Sequence, residues 1–158
     1  MRIATWNINS VRLRLPNVLK MLDQFQPDIL CLQETKTPDE FFPAEALAQH
    51  GYGHIHIHGM KSYNGVAIVS RVPLEAREIR HSCSKEDCRH ISAMAPGGIE
   101  IHCAYVPAGG DIPDPVANDK FAHKLQFVDE LATWWKDRRD GSRKMVLVGD
   151  LNIAPLEH

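Results

Sequence analysis

A chain of 158 residues is long enough to bury a substantial hydrophobic core and is most simply one domain. With 44% hydrophobic and 24% charged residues it has the composition of an ordinary globular chain, which excludes a disordered or fibrous polypeptide. Its 18 Lys and Arg against 20 Asp and Glu leave a formal charge of -2, so no global field draws a polyanion, and nucleic-acid binding would need a local basic patch.

Met1-Arg2 leads directly into strand-like sequence with no cleavable signal pattern, and no apolar run approaches the roughly 18–20 residues of a membrane span. The cytoplasm is the expected compartment, with no membrane partner. Residues 2–8 read as a first strand, apolar on both faces as inside a covered sheet. Ser10 is placed to cap a following helix whose stripe is Val18, Leu19, Leu22 and Phe25, and Pro27 stops it. Residues 29–33 form a second strand, 35–43 a loop and 44–50 a short helix. Residues 52–58 alternate, 65–69 make a compact buried run, and 74–80 read as its hairpin partner. His54, His56 and His58 share one strand face, which we expect to be exposed.

Residues 89–94 and 99–105 flank Pro96-Gly97-Gly98, a hairpin turn signal. Residues 106–118, with three prolines and two adjacent glycines, are a long loop. Phe121, Leu125, Val128, Ala132 and Trp135 then mark one face of a helix ending near Gly141, with one of Trp134 and Trp135 on the buried face. Residues 145–148 close the pattern as a final buried strand. Strands dominate the middle and helices precede the second and last strands, which predicts an α/β (or α+β) layered domain with a mixed sheet. Cys31 and Cys103 sit in apolar strands as buried thiols, and Cys83 and Cys88 read as reduced thiols on a loop.

Three apolar strands end in Asn7, in Glu34, and in Asp150 with Asn152, an oxygen-bearing set suited to a hard divalent cation. Each residue alone reads equally as a turn residue or a solvated loop charge, and only their recurrence at strand ends points to a common site. Arg12, Arg14 and Lys36 follow those ends, while Asn118, Lys120 and Lys124 open the long helix; phosphate contacts and plain surface charge are both open for them.

The segments 3–11 (with Ile3-Ala-Thr-Trp-Asn-Ile-Asn9 and Ser10-Val11), 27–36 (ending Gln33-Glu34-Thr35-Lys36), 65–70, Tyr105-Val106-Pro107 and 149–155 resemble, in order, the motifs of the exonuclease III family of bacterial DNA-repair nucleases within the endonuclease/exonuclease/phosphatase superfamily. The Gln33-Glu34-Thr35-Lys36 form favours the repair-nuclease branch. The resemblance implies a four-layered α/β sandwich with a mixed, mostly antiparallel sheet flanked by helices, of which residues 1–158 are the N-terminal portion. It implies Mg²⁺, with Mn²⁺ as a substitute, on Glu34 with Asn7 beside it. Asp150 would prepare the attacking water, and Asn152 and Tyr105 would meet the scissile phosphate. The substrate implied is double-stranded DNA with abasic sites or 3′ ends, cut by 3′–5′ exonuclease and abasic-site endonuclease action. Rival readings are a small-molecule or lipid phosphodiesterase or phosphatase, and a non-catalytic DNA-binding module.

In that family a second half follows the Gly149 motif and completes the water-activating site with an aspartate–histidine pair. The expectation is therefore a piece of a longer protein, inactive in isolation. It would leave a bare sheet face where the missing half packs, with self-association covering that face instead.

Overall fold

The computed structural model describes residues 1–139 and 141–153. Two apolar runs, Ile29–Gln33 (β2) and Val66–Ser70 (β4), are buried at every position and pair antiparallel at the centre of one sheet. Such unbroken apolar runs are what a strand covered on both faces requires. Ile3–Asn7 (β1) joins β2 in parallel and His54–His58 (β3) joins β4 antiparallel, giving the order β1-β2-β4-β3. Glu75–Ser82 (β5), Lys85–Ala95 (β6), Ile99–Tyr105 (β7) and Lys144–Asp150 (β8) form a second sheet in chain order. That sheet is antiparallel except for the parallel β7–β8 pair.

The sheets pack face to face, with Ile29, Cys31, Val66 and Ile68 of the first against Ile91, Ala93, Ile101 and Cys103 of the second. Outside the first sheet, helices Leu15–Phe25 (α1) and Ala44–Gln49 (α2) press Val18, Leu22 and Leu47 onto Leu30, Leu32, Ala67 and Val69. Outside the second, helix Asp119–Arg138 (α3) buries Phe127 and Leu131 beside Val106 and Leu147. The fold is α/β: two mostly antiparallel sheets flanked by helices, in four layers. No described helix is long and apolar enough to cross a membrane.

Several expectations are corrected. Residues 65–69 and 74–80 are not a hairpin, because β4 and β5 lie in different sheets. Between them the Ser70 hydroxyl donates to the Val72 carbonyl and accepts from its amide, holding a corner that sends the chain from one sheet to the other. This also removes the bare sheet face, since both sheets are present and cover each other; among the described strands what stays open is the edges, β1 and β3 of the first sheet and β5 and β8 of the second. β1 is correspondingly half-buried rather than interior. Ser10 does not cap α1. Its amide donates to the Glu34 carbonyl at 2.7 Å, and the helix starts instead after Arg14 with Pro16 in its first turn.

The stripe on α3 is also misphased, because Phe127 and Leu131 are buried while Leu125 is 45% exposed. Trp134 and Trp135 both pack on the His102 ring, at 5.1 and 5.3 Å. Cys83 and Ser84 form a left-handed two-residue turn between β5 and β6, so Cys88 is a strand residue; all four cysteines are free and buried. The β3 histidines are half-buried, with His56 Nε2 at 3.0 Å from the Glu78 carbonyl and His58 packed edge-on against His81.

Beneath α3, His90 and His102 are each 1% exposed and share an Nε2···Nδ1 hydrogen bond of 3.1 Å. Burial, reinforced for His90 by its His102 neighbour, pushes the two side chains from the ordinary 6.5 down to about 3 and about 4. The unfolded chain therefore takes up protons that the folded chain refuses. Stability is intact above the unfolded value and is lost as pH falls through it. Near pH 5 each histidine costs about 2 kcal/mol. Urea unfolding at neutral and acid pH checks this, and a midpoint that does not fall on acidification contradicts it.

Candidate active site

Parallel strands present their carboxyl ends at the same edge, and the only parallel pairs among the described strands are β1–β2 and β7–β8. Register places Asn7 opposite Gln33, so Glu34 follows immediately, and places Tyr105 opposite Asp150. The edge strands β1 and β8 lie against each other across the sandwich, and four strand ends meet.

One amide ties them together. Asn7 Nδ2 donates to Glu34 Oε1 at 2.8 Å and to Asp150 Oδ2 at 2.7 Å. Tyr105 donates its hydroxyl to the same Glu34 Oε1 at 2.9 Å, while Lys36 Nζ sits 2.8 Å from Glu34 Oε2 and 2.6 Å from Asn9 Oδ1. Asn7 Oδ1 accepts from the Asn9 amide. Burial alone would push the Glu34 carboxyl up, but hydrogen bonds from Asn7, Lys36 and Tyr105 outweigh it and hold the group below its ordinary value. Burial, and then the bond to Glu34, push the Tyr105 phenol up to about 12, so it remains a donor at neutral pH.

The backbone around this cluster is unusual. Glu34 (φ 54°), Lys36 (φ 51°), Asn9 (φ 45°), Ser10 (φ 84°) and Asn152 (φ 49°) all occupy the left-handed region. Such residues persist only where their surroundings hold them. Here the Ser10 and Val11 amides bond to the Glu34 and Thr35 carbonyls, and the Thr35 and Lys36 amides to the Gly65 and Asn64 carbonyls. A Cβ at Gly149 would lie 1.8 Å from the Ala104 carbonyl oxygen, so β8 reaches Asp150 only because Gly149 lets it approach β7.

The structure brings Asn7, Glu34, Tyr105 and Asp150 together with Lys36. Asn152 is adjacent: its amide donates to Asp150 Oδ1 at 3.0 Å, and its Nδ2 holds the Val106 carbonyl at 2.8 Å. Lys124 reaches the same turn by donating to the Asn152 carbonyl. Asn118 is occupied as the N-cap of α3, accepting from the Lys120 amide and donating to the Gly109 and Ile112 carbonyls. Lys120 is exposed, Arg14 donates to the Asn9 carbonyl, and Arg12 is exposed with its guanidinium 5.7 Å from the Phe41 ring. Residues 154–155 of the last motif lie outside the described residues.

Sequence reasoning missed Arg89 and Asp87. The Arg89 guanidinium lies 4.8 Å over the Tyr105 ring, donates to the Tyr105 carbonyl at 3.3 Å and is held by Asp87 at 2.5 Å. A charged pair spaced two apart within a strand marks one shared face, but nothing local says that this face adjoins a tyrosine from the next strand.

Among the described residues no group of three or more His, Cys, Asp and Glu side chains is placed to hold a metal ion. The oxygens facing the site are those of the two carboxylates, with Asn7 turning Nδ2 to both and its Oδ1 accepting from the Asn9 amide. This hard oxygen set suits Mg²⁺, which often takes one or two carboxylates and completes its shell with water and substrate phosphate. Lys36 already supplies a positive charge at Glu34 Oε2.

Residues 4–158 match the model of the Endonuclease/Exonuclease/phosphatase family. The chain belongs to this family. It is 31% identical to exodeoxyribonuclease III of Haemophilus influenzae over 98% of its own length and 58% of that protein. It is 30% identical to the DNA repair nuclease APEX1 of Danio rerio, covering 99% of the chain and 50% of the relative. Among solved structures, an AP endonuclease from Archaeoglobus fulgidus superposes with a TM-score of 0.88 at 37% identity, covering 99% of this chain and 59% of that one. A variant of the 3′ phosphatase NExo from Neisseria, bound to a product DNA hairpin, gives 0.88 at 36% identity, covering 99% and 60%. The chain thus spans between half and three fifths of the length of these proteins.

The Gly149 clearance yields a prediction. Gly149→Ala is expected to destabilise the protein by more than about 2 kcal/mol, because a methyl group would press into a backbone carbonyl. Denaturant unfolding measures this, and a loss below about 0.5 kcal/mol, within the range of neutral surface changes, contradicts it.

Proposed function

We propose that the protein containing this chain hydrolyses DNA phosphodiesters in repair, as a metal-dependent 3′–5′ exodeoxyribonuclease and abasic-site endonuclease acting on duplex DNA. The observation that carries this reading is the Asn7 side chain joining Glu34 and Asp150, with the Tyr105 hydroxyl on the same carboxylate. The relatives named as DNA repair nuclease, exodeoxyribonuclease III and AP endonuclease support it.

A phosphodiester resists nucleophiles because its oxygens are already anionic. Glu34, with Asn7 beside it, would hold the metal, Mg²⁺ with Mn²⁺ as substitute, which would supply positive charge to neutralise what develops on the phosphate. The chain's own residues do the rest. Asp150, oriented by Asn7 Nδ2 and the Asn152 amide, takes a proton from the attacking water, whose oxygen bonds to phosphorus as the bond to the 3′ oxygen breaks. Tyr105, kept protonated by burial and by Glu34, presents a hydroxyl to a phosphate oxygen, and Arg89 and Asp87 hold its ring. Asn152 anchors the loop at Val106 and orders the turn that carries Asp150. Arg12, Arg14, Lys36, Lys120 and Lys124 are the candidates for backbone phosphate contacts, with Asn118 shaping the loop beside them. The cytoplasm is the proposed compartment.

The test is cleavage of an abasic-site duplex by the full-length protein with magnesium and with a chelator. Glu34→Ala and Asp150→Asn are each expected to lower turnover by about 10²–10⁴-fold. Undiminished cleavage by Glu34→Ala would reject its role. Cleavage confined to a small phosphodiester or a phosphoinositide would instead assign the phosphatase branch of the family.

A further inference from the structure

The Glu34 carboxylate has one oxygen left for a cation, and a lysine already holds it. Oε1 accepts from Asn7 Nδ2 at 2.8 Å and from the Tyr105 hydroxyl at 2.9 Å, which uses both of its lone pairs. Oε2 lies 2.8 Å from Lys36 Nζ, and the same ammonium donates to Asn9 Oδ1 at 2.6 Å. A divalent cation bound through Glu34 must therefore approach Oε2 and meet a positive charge on the same atom. Like charges at one oxygen repel, so either the cation binds more weakly or the lysine leaves.

Lys36 is placed to leave. Its backbone is fixed, with φ at 51° and its amide donating to the Asn64 carbonyl at 2.9 Å. Its side chain is 30% exposed and is held by one ion pair and one amide oxygen, contacts that a solvent-borne anion can replace. Lysine carries its charge on a flexible four-carbon stem, so the ammonium can swing while the loop beneath it stays in place. The neighbouring cations are engaged elsewhere. Arg14 donates to the Asn9 carbonyl, Arg89 pairs with Asp87, and Lys124 donates to the Ala108 and Asn152 carbonyls. Among these four cations only Lys36 pairs with a carboxylate of the site.

We propose that Lys36 couples the metal to the substrate: its ammonium competes with the divalent cation for Glu34 Oε2, and a phosphate of the DNA draws it off. Each ligand then raises the protein's affinity for the other. The coupling rests on the reading of Glu34 as the metal-binding carboxylate of a DNA phosphodiesterase. Its consequence is order. Without DNA the protein holds the cation loosely, and the site is completed only when a phosphate backbone lies across it. The effect must be mutual, because two ligands that relieve one shared contact assist each other equally.

The experiment follows Mn²⁺ binding to the full-length protein by the paramagnetic resonance of the free ion. It is run with and without a saturating short duplex whose phosphorothioate linkages resist cleavage. Without duplex, Lys36→Gln is expected to tighten Mn²⁺ by about five- to tenfold. Lys36→Arg, which keeps the charge, and Lys20→Gln, at an exposed position on α1, should not tighten it. Duplex should tighten Mn²⁺ by about tenfold on the wild-type protein and by no more than about threefold on Lys36→Gln. Asn9→Gly removes the second anchor of the ammonium at a position whose φ of 45° suits glycine, and it serves if Lys36→Gln fails to fold. It should tighten Mn²⁺ by about two- to threefold. Binding that is abolished by Glu34→Ala but unmoved by Lys36→Gln, or an equal duplex effect in both proteins, overturns the coupling and leaves the metal site standing. Mn²⁺ binding that survives Glu34→Ala overturns the metal site itself, and the coupling with it.

Discussion

The candidate active site depends on one side chain, the Asn7 amide, bonded to a carboxylate from each sheet. Its two bonds are a geometric statement about the sandwich. They require β1 and β2 to run in parallel so that Asn7 and Glu34 emerge together, β7 and β8 to do the same for Tyr105 and Asp150, and the two pairs to meet at one corner. The remaining pairings are antiparallel and serve to build the two covered faces. A chain with antiparallel β1–β2 would put Asn7 and Glu34 at opposite ends of the sheet. The site is thus a consequence of strand direction before it is a consequence of residue chemistry.

Local strain is concentrated at the same corner. Glu34, Lys36, Asn9, Ser10 and Asn152 adopt left-handed backbone, a conformation that costs about 1 kcal/mol or more per non-glycine residue. The compensation is visible in the lattice of backbone bonds joining residues 8–11, 33–36 and 64–65. That lattice turns the Glu34 side chain toward Asn7 and Tyr105 instead of letting it follow the strand into solvent. The same positions explain why the Glu34 carboxyl stays ionised although partly buried: three donors outweigh its desolvation. Backbone strain and a lowered Glu34 pKa are two products of one arrangement.

How much of this was legible in sequence differs between levels. Strand ends were legible, because a buried strand is a continuous apolar run and the first polar residue after it marks where the chain leaves the core; Asn7, Glu34 and Asp150 were found that way. The division into two sheets was not. Residues 65–69 and 74–80 are close in sequence and both strand-like, and only the Ser70–Val72 corner, a three-dimensional hydrogen-bond pattern, separates them. The phase of α3 was also ambiguous, since Phe121, Leu125 and Ala132 offer a stripe about as regular as Phe127, Leu131 and Trp134, and only the sheet beneath chooses. The histidines were misjudged for a related reason. A His at every second position reads as a wet face, yet His54, His56 and His58 are all half-buried. Arg89 escaped notice because its partner Tyr105 lies on the neighbouring strand.

The corner also lies at one open edge of each sheet, the other edges being β3 and β5. β1 and β8 each pair on one side only among the described strands, and both are half-buried where β2 and β4 are wholly buried. An unpaired edge offers a row of amides and carbonyls to any further strand. Asn7 ends the first of these edges and Asp150 the second. A segment added to either edge therefore arrives beside the two residues whose hydrogen bond joins the sheets, and its side chains fall within reach of the carboxylate proposed to take a proton from water.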